Sequence, residues 1–292
     1  MNLSIPIYAI ENLKSYKKEG ILVSRFGHYL SQHQHLLNAH KHSFYHLVFF
    51  TEGNGEQHID FKKFSIKPGL IYFMIPGQVH NWNFETEPDG YIINFSSTYF
   101  SSFLLAADYL TRFNFFNGQP DAQVIELPLG TQQKISLIFE DILKEGLNDI
   151  LAGDDLVKTL LIQLFIEVSR FQLSTEPTTN NNYNHTLIKN FKDLIEKNYK
   201  QLKLPKEYAA LLYITPNHLN AACNDFLGVS AGTLIRERIL LEAKRSLINL
   251  DVRIGEIANE LNFTDQSYFI KFFKKHEGIT PEKFRKSIAY EK

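Results

Sequence analysis

Hydrophobic positions change their spacing twice along this chain. Over the first hundred residues they come in short bursts: HKHSFYHLVFF (40–50), GEQHIDF (55–61), FSIKPG (64–69), LIYFMIPG (70–77) and GYIINFS (90–96). These runs are rich in aromatic and β-branched residues and are punctuated by EGNG and KPG, which predicts β-strands. Several short strands at such spacing predict a barrel or a sandwich. From about 131 to 172 the period becomes helical, in QKISLIFEDILKEGL and then DDLVKTLLIQLFIEVSRF. The second of these is apolar over most of its circumference and must be covered on more than one side. Its own sheet and a partner chain are both consistent with that pattern.

STEPTTNNNYNH (174–185) is polar, turn-prone and without an apolar period, and reads as a linker. Beyond it the pattern is helical throughout, with helices expected near 186–199, 206–213, 216–226, 231–249, 255–261, 265–276 and 281–289. Thr-Pro pairs at 215–216 and 280–281 place a threonine N-cap before a first-turn proline. Gly228 and Gly278 fall just past helix ends, where a C-cap wants positive φ. The division is therefore residues 1–173, a linker at 174–185, and a helical domain over 186–292.

The helical part contains a repeat. Ala209, Leu212, Ile214 and Thr215 return 49 positions later as Ala258, Leu261, Phe263 and Thr264; Leu219, Cys223 and Gly228 return 50 positions later as Phe269, Phe273 and Gly278. Each copy reads as a short helix, a tight turn, a second helix and a glycine stop, the sequence shape of a helix-turn-helix. In the second copy Phe269 and Phe273 share one face, while Ser267, Lys271 and Lys274 share another with Gln266 beside them. A helix that enters a DNA groove needs such a division. Its back must anchor, and its front must offer amides and hydroxyls to base edges and cations to phosphates. Two such units joined by one long helix can reach successive major grooves about 34 Å apart.

Charge supports this assignment of ends. The chain of 292 residues has a formal net charge of −1, but 186–292 carries 18 Lys and Arg against 13 Asp and Glu, and the remainder is acidic. A basic half joined to an acidic half points to one end meeting a polyanion. The single cysteine, Cys223, excludes an internal disulfide and a cysteine-rich zinc site. The N-terminus lacks a signal-peptide pattern and no apolar run approaches the ~20 residues of a membrane span. A cytoplasmic protein is expected. There is no phosphate-binding glycine loop, and no cofactor is expected.

IGEIANELNFTDQSYFIKFFKKHEGITPEKFRK (254–286) resembles the second helix-turn-helix and closing helix of the AraC/XylS family of transcription regulators, and LYITPNHLN with RILLEAKRSL resembles the first motif and its connecting helix. The resemblance implies a C-terminal all-α domain of about seven helices with two helix-turn-helix motifs. It also implies base or backbone contacts to double-stranded DNA by Asn217, His218 and Asn220 in the first motif and by Gln266, Ser267, Tyr268, Lys271 and Lys274 in the second. The chain departs from the family at Ala221, where arginine is common, and at Tyr213 and Asn262, where the turn glycine stands. Tyrosine tolerates a left-handed turn poorly, asparagine better.

The N-terminal strands, through the His40–His42 pair and PGQVH (76–80), resemble the cupin barrel that many members of this family use as a sensor. The fold expected is thus two-domain α+β, a cupin-like β-barrel with following helices and then the all-α domain. The resemblance implies a small-molecule effector, with His40, His42, Tyr45, His46, His80 and Trp82 as candidate ligand-binding residues and a sugar among the possible effectors. It further implies a homodimer through the helices at 131–172 and activation through contact with RNA polymerase. His40 and His42 alternate along a strand and face one side. With His46 and His80 they have the residue types of a metal site, as in catalytic cupins, but no glutamate follows before Glu52, and the expectation is no metal. The competing reading is a metal-dependent cupin enzyme with an appended helical domain.

Overall fold

The computed structural model describes residues 5–13, 20–101, 103, 109–147, 152–175, 182–249 and 251–290. The chain divides into two compact units, Pro6–Pro177 and the stretch beginning at Thr178.

Among the described residues of the first unit, ten strands form two five-stranded sheets. They are β1 (Ile7–Tyr8), β2 (Ile21–Arg25), β3 (His40–His42), β4 (Tyr45–Glu52), β5 (Gly55–Ile59), β6 (Lys62–Ile66), β7 (Leu70–Met74), β8 (Val79–Phe84), β9 (Asp89–Phe95) and β10 (Val124–Glu126). One sheet has the order β1-β3-β8-β5-β6 and the other β10-β7-β4-β9-β2, with every pairing antiparallel except β1 with β3. Alternation along β4 sorts its residues: Val48 and Phe50 join Tyr72, Met74, Ile92, Ile59, Ile66 and Trp82 in a core between the sheets. Leu47 and Phe49 face the other way, with Phe73, Ile93 and Phe95. This is the cupin-like barrel that the resemblance implies, one of the two architectures the strand pattern allows.

The run at 40–50, read as one strand, is two. It breaks at Ser43-Phe44, and the halves belong to different sheets. Small polar Ser43 sits at the corner, where Phe44 turns into the core. Periodicity cannot see such a break because both halves keep their alternation. A short helix, α1 (Phe26–Gln32), crosses near the barrel, and a four-residue turn of helix, α2 (Pro120–Gln123), precedes β10.

Helices α3 (Leu129–Leu147) and α4 (Gly153–Thr175) follow. Ile135, Ile138, Phe139 and Ile142 of α3, with Val157, Leu161, Leu164, Phe165 and Val168 of α4, cover the outer face of the second sheet. The apolar girth of α4 is therefore met by its own sheet and by α3.

The second unit has α5 (Asn182–Asn198), α6 (Pro205–Leu211), α7 (Pro216–Leu227), α8 (Ala231–Leu247), α9 (Ile254–Glu260), α10 (Gln266–Glu277) and α11 (Pro281–Tyr290). All seven match the pattern to within a few residues. The polar stretch at 174–185 is shortened from both ends, because α4 reaches Thr175 and α5 begins at Asn182. Extending a helix past its nucleus costs little even for Thr or Asn. Its middle, 176–181, lies outside the described residues.

Around α8 the unit is tied by charge as well as by apolar packing. Arg238, nearly buried, donates to Glu196 (2.7 Å) and Glu242 (3.0 Å) and lies over the Tyr199 ring. Arg285 of α11 donates to the carbonyls of Leu247 and Val252, closing the free end of α8.

Candidate functional site

Two places concentrate polar side chains against a rigid apolar backing: the outward faces of α7 and α10, and the interior of the barrel.

The two helix pairs, α6–α7 and α9–α10, are built by the same device. After α6, Tyr213 adopts φ 56°, and its N–H donates to Ala210 while that of Ile214 donates to Ala209. After α9, Asn262 adopts φ 54°, and its N–H donates to Asn259 while that of Phe263 donates to Ala258. Both are Schellman closures with a left-handed residue other than glycine. Glu207 and Glu256 accept backbone N–H groups at the starts of α6 and α9. Thr215 caps α7 and Asp265 caps α10, and Gly228 and Gly278 end them in the left-handed region. The repeat seen in the sequence is a repeat of hydrogen bonds.

In α10, Phe269 and Phe273 are buried against Phe263 and Phe284. Gln266, Ser267, Tyr268, Lys271, Lys274 and Lys275 are exposed. Every residue expected on the outward face is there. Gln266 also leans over α9, its Oε1 lying 2.9 Å from where a Cβ on Gly255 would stand.

In α7, Asn217 and His218 are exposed as expected. Asn220 is not free in the same way. It is half-buried, and its Oδ1 accepts the Ala231 N–H (3.1 Å) at the start of α8. It caps the connecting helix, a role set by tertiary packing that helical spacing cannot reveal. The exposed row is instead Asn217, His218, Ala221 and Asn224, with Asp225 beside it. Asn224, seven residues from Asn217, was legible from spacing alone.

In the barrel, β3 and β8 are neighbours in register His40 with His80. His40, His42, His46 and His80 are all buried, with ring centroids between 4.1 and 5.1 Å for the pairs His40–His42, His40–His80, His42–His46, His42–His80 and His46–His80. The Nε2 atoms of His40 and His42 are 3.1 Å apart, and Nδ1 of His40 bonds the Asn38 carbonyl (2.7 Å). His46 is served at both nitrogens, by Asn94 Oδ1 (2.7 Å) and the Tyr72 hydroxyl (3.2 Å), and the same hydroxyl accepts from Trp82 Nε1 (3.0 Å). Burial pushes all four imidazoles down, His40 to about 4 and His46 to about 3, against the opposing pull of Asn38 and Asn94. The interior is thus polar, uncharged and lined by aromatic rings.

Tyr45 is placed elsewhere. It stacks on Phe95 (5.0 Å, 9°) and meets Phe116 edge-on, on the sheet face turned to the helices. Adjacent residues of a strand point to opposite sides, so Tyr45 cannot share the lumen with His46. Conversely Asn94, opposite His46 in the register, was missed. Its signal was a lone polar residue in the apolar run GYIINFS.

The comparisons agree with this division. A model of the AraC-like ligand binding domain matches residues 22–164, and a model of a helix-turn-helix domain matches residues 208–287. A probable transcription factor, PqrA, of Proteus vulgaris is 43% identical over 24% of this chain and 57% of its own length. An uncharacterised helix-turn-helix-type transcriptional regulator, YisR, of Bacillus subtilis is 28% identical over 32% of this chain and 33% of its own. The chain therefore spans less than two thirds of either. The helix-turn-helix-type transcriptional activator RhaR of Enterobacter sp. (strain 638) is 20% identical over 86% of this chain and 88% of its own. With one model on the barrel and the other on the paired helix-turn-helix unit, the chain belongs to the AraC family.

Proposed function

We propose that this protein is a sequence-specific DNA-binding transcription regulator whose barrel senses a small molecule. The observation that carries the reading is the duplicated helix-turn-helix. Two recognition helices have identical backbone closures, aromatic or aliphatic backs and polar fronts, and they flank one rigid connecting helix. A solvated amphipathic helix needs none of this duplication. The relatives' names, PqrA as a transcription factor and RhaR as an activator, support the same reading.

The effector would enter the barrel among the histidines, Tyr72 and Trp82. Its differential affinity for two arrangements of the protein would bias how the recognition helices meet DNA. Two chains associating through α3 and α4 would present four recognition helices. Exposed Leu137 and Leu156 support that surface. Contact with RNA polymerase would make the protein an activator. The enzyme reading has less support: the grouped histidines include no carboxylate, and it leaves the duplicated motif without a use.

Selection from random duplex DNA with the full-length protein tests the proposal. Enrichment of two short elements about ten base pairs apart is the expected result. No enrichment, even at low salt, would remove the regulator reading.

A further inference from the structure

Three of the four barrel histidines are arranged differently from the fourth. His46 has both ring nitrogens in hydrogen bonds. His42 Nδ1 and His80 Nε2, although buried, make no hydrogen bond among the described residues. A buried polar atom left without a partner costs about 1–3 kcal/mol. At His80 Nε2 a bound ion would offset that cost; His42 offers the ion its Nε2 instead, the atom 3.1 Å from His40 Nε2.

We propose that His40, His42 and His80 form a binding site for one divalent transition-metal ion. Strand alternation brings His40 and His42 to one side of β3, and the β3–β8 register sets His80 directly opposite His40. One nitrogen from each lies within 4.8 Å of the others. The 3.1 Å between the Nε2 atoms of His40 and His42 falls in the range required of two ligands on one ion. Nitrogens about 2.0–2.1 Å from a metal are roughly 2.8–3.4 Å apart at octahedral to tetrahedral angles.

The surroundings fit as well. The Asn38 carbonyl accepts from Nδ1 of His40, which fixes the tautomer that leaves Nε2 as a lone pair aimed at its neighbours. A backbone carbonyl in that position is the usual support of a metal-bound histidine. The donor set decides the class of ion. Three imidazoles without a carboxylate suit zinc, nickel, copper or iron and not calcium or magnesium. Three protein ligands also leave a position open, where water or an oxygen-bearing small molecule completes the shell.

The site is independent of the DNA-binding reading, and its test does not use DNA. Untagged full-length protein, stripped with a chelator and dialysed, is titrated with Zn(II) against a chromophoric competitor. One equivalent per chain is expected to bind. His42→Gln and His80→Gln should each weaken that binding at least about 100-fold, since even outer-shell changes cost about 10–100-fold. His46→Gln should leave the stoichiometry unchanged. Cobalt(II) on the wild-type protein should give intense visible absorption of four- or five-coordinate nitrogen ligation, a readout that does not depend on any variant folding. Absence of a stoichiometric ion, equal binding by folded His80→Gln protein, or only the weak spectrum of hydrated cobalt would each overturn the proposal.

Discussion

The two helix-turn-helix copies share a backbone but not an energetic design. Their turns close through the same pair of hydrogen bonds at φ 56° and φ 54°. Behind α7, however, the buried contacts are Leu219, Ala222 and Cys223; behind α10 they are Phe269 and Phe273, in ring contact with Phe263 and Phe284. In front, α7 exposes Asn217, His218, Ala221, Asn224 and Asp225, with no Lys or Arg, while α10 exposes Gln266, Ser267, Tyr268, Lys271, Lys274 and Lys275. One copy is lightly anchored and without exposed cations, the other heavily anchored and cationic. The same backbone closure therefore serves a light apolar backing as well as a heavy one. On the proposed function the side chains would divide the work, phosphate attraction to the second copy and amide readout to the first.

The anchoring difference gives the largest expected effect. Phe273→Ala removes a fully buried ring and should cost about 3–5 kcal/mol. The matching change in the first copy, Cys223→Ala, removes one atom and should cost about 1 kcal/mol. Urea unfolding followed by far-ultraviolet circular dichroism measures both. Equal losses would mean that the two copies are anchored alike after all.

The division of labour on DNA is sharpened by salt. Lys271→Ala should weaken binding to every duplex, and lower the slope of log affinity against log salt by about 1, if the ammonium neutralises a phosphate. Asn217→Ala should leave the slope alone and cost about 1–3 kcal/mol at one base pair of the target. Fluorescence anisotropy at several salt concentrations separates them. A salt slope that changes for Asn217 and not for Lys271 would reverse the assignment.

What was legible in the sequence follows the same line between local and tertiary causes. The seven helices, their caps and the repeat were readable because Thr215, Gly228 and Gly278 act within one turn of where they stand. The outward face of α10 was readable because helical spacing sorts it from Phe269 and Phe273. The bond from Ala231 to Asn220 was not readable, because the two residues are eleven apart across a turn. Tyr45 was grouped with the barrel histidines although it is the neighbour of His46 in one strand, and alternation alone sends the two to opposite faces. The closeness of His40, His42 and His80 was only half visible. Alternation joined the first two, but the register that adds His80 lies in the pairing of β3 with β8.

Asn220 offers a middle-sized effect on the first copy alone. It satisfies one of the free N–H groups at the start of α8, beside the Ser230 cap on Thr233. Asn220→Ala should cost about 1 kcal/mol, in the range of a lost helix cap, with no matching loss at Ile270 of α10, the residue fifty positions on. A stability change near zero, with a clear loss of DNA affinity, would instead return Asn220 to the DNA-facing set.

The smallest effect sits at the turns. Tyr213 is 95% exposed and adopts positive φ, so no packing offsets its backbone strain. Holding a residue with a Cβ in that region costs roughly 1–2 kcal/mol, whereas glycine gives up about 0.5–1 kcal/mol in chain entropy. Tyr213→Gly should therefore raise stability by about 0.5–1 kcal/mol. Asn262→Gly should change it less, because asparagine already tolerates the left-handed region. Paired urea titrations of the two variants measure the difference directly. If Tyr213→Gly stabilises the fold but weakens DNA binding, the exposed ring is kept for contact with DNA and its strain is the cost of holding it there. If it destabilises the fold, the two closures are not equivalent, and the backbone identity on which the comparison of the copies rests is lost.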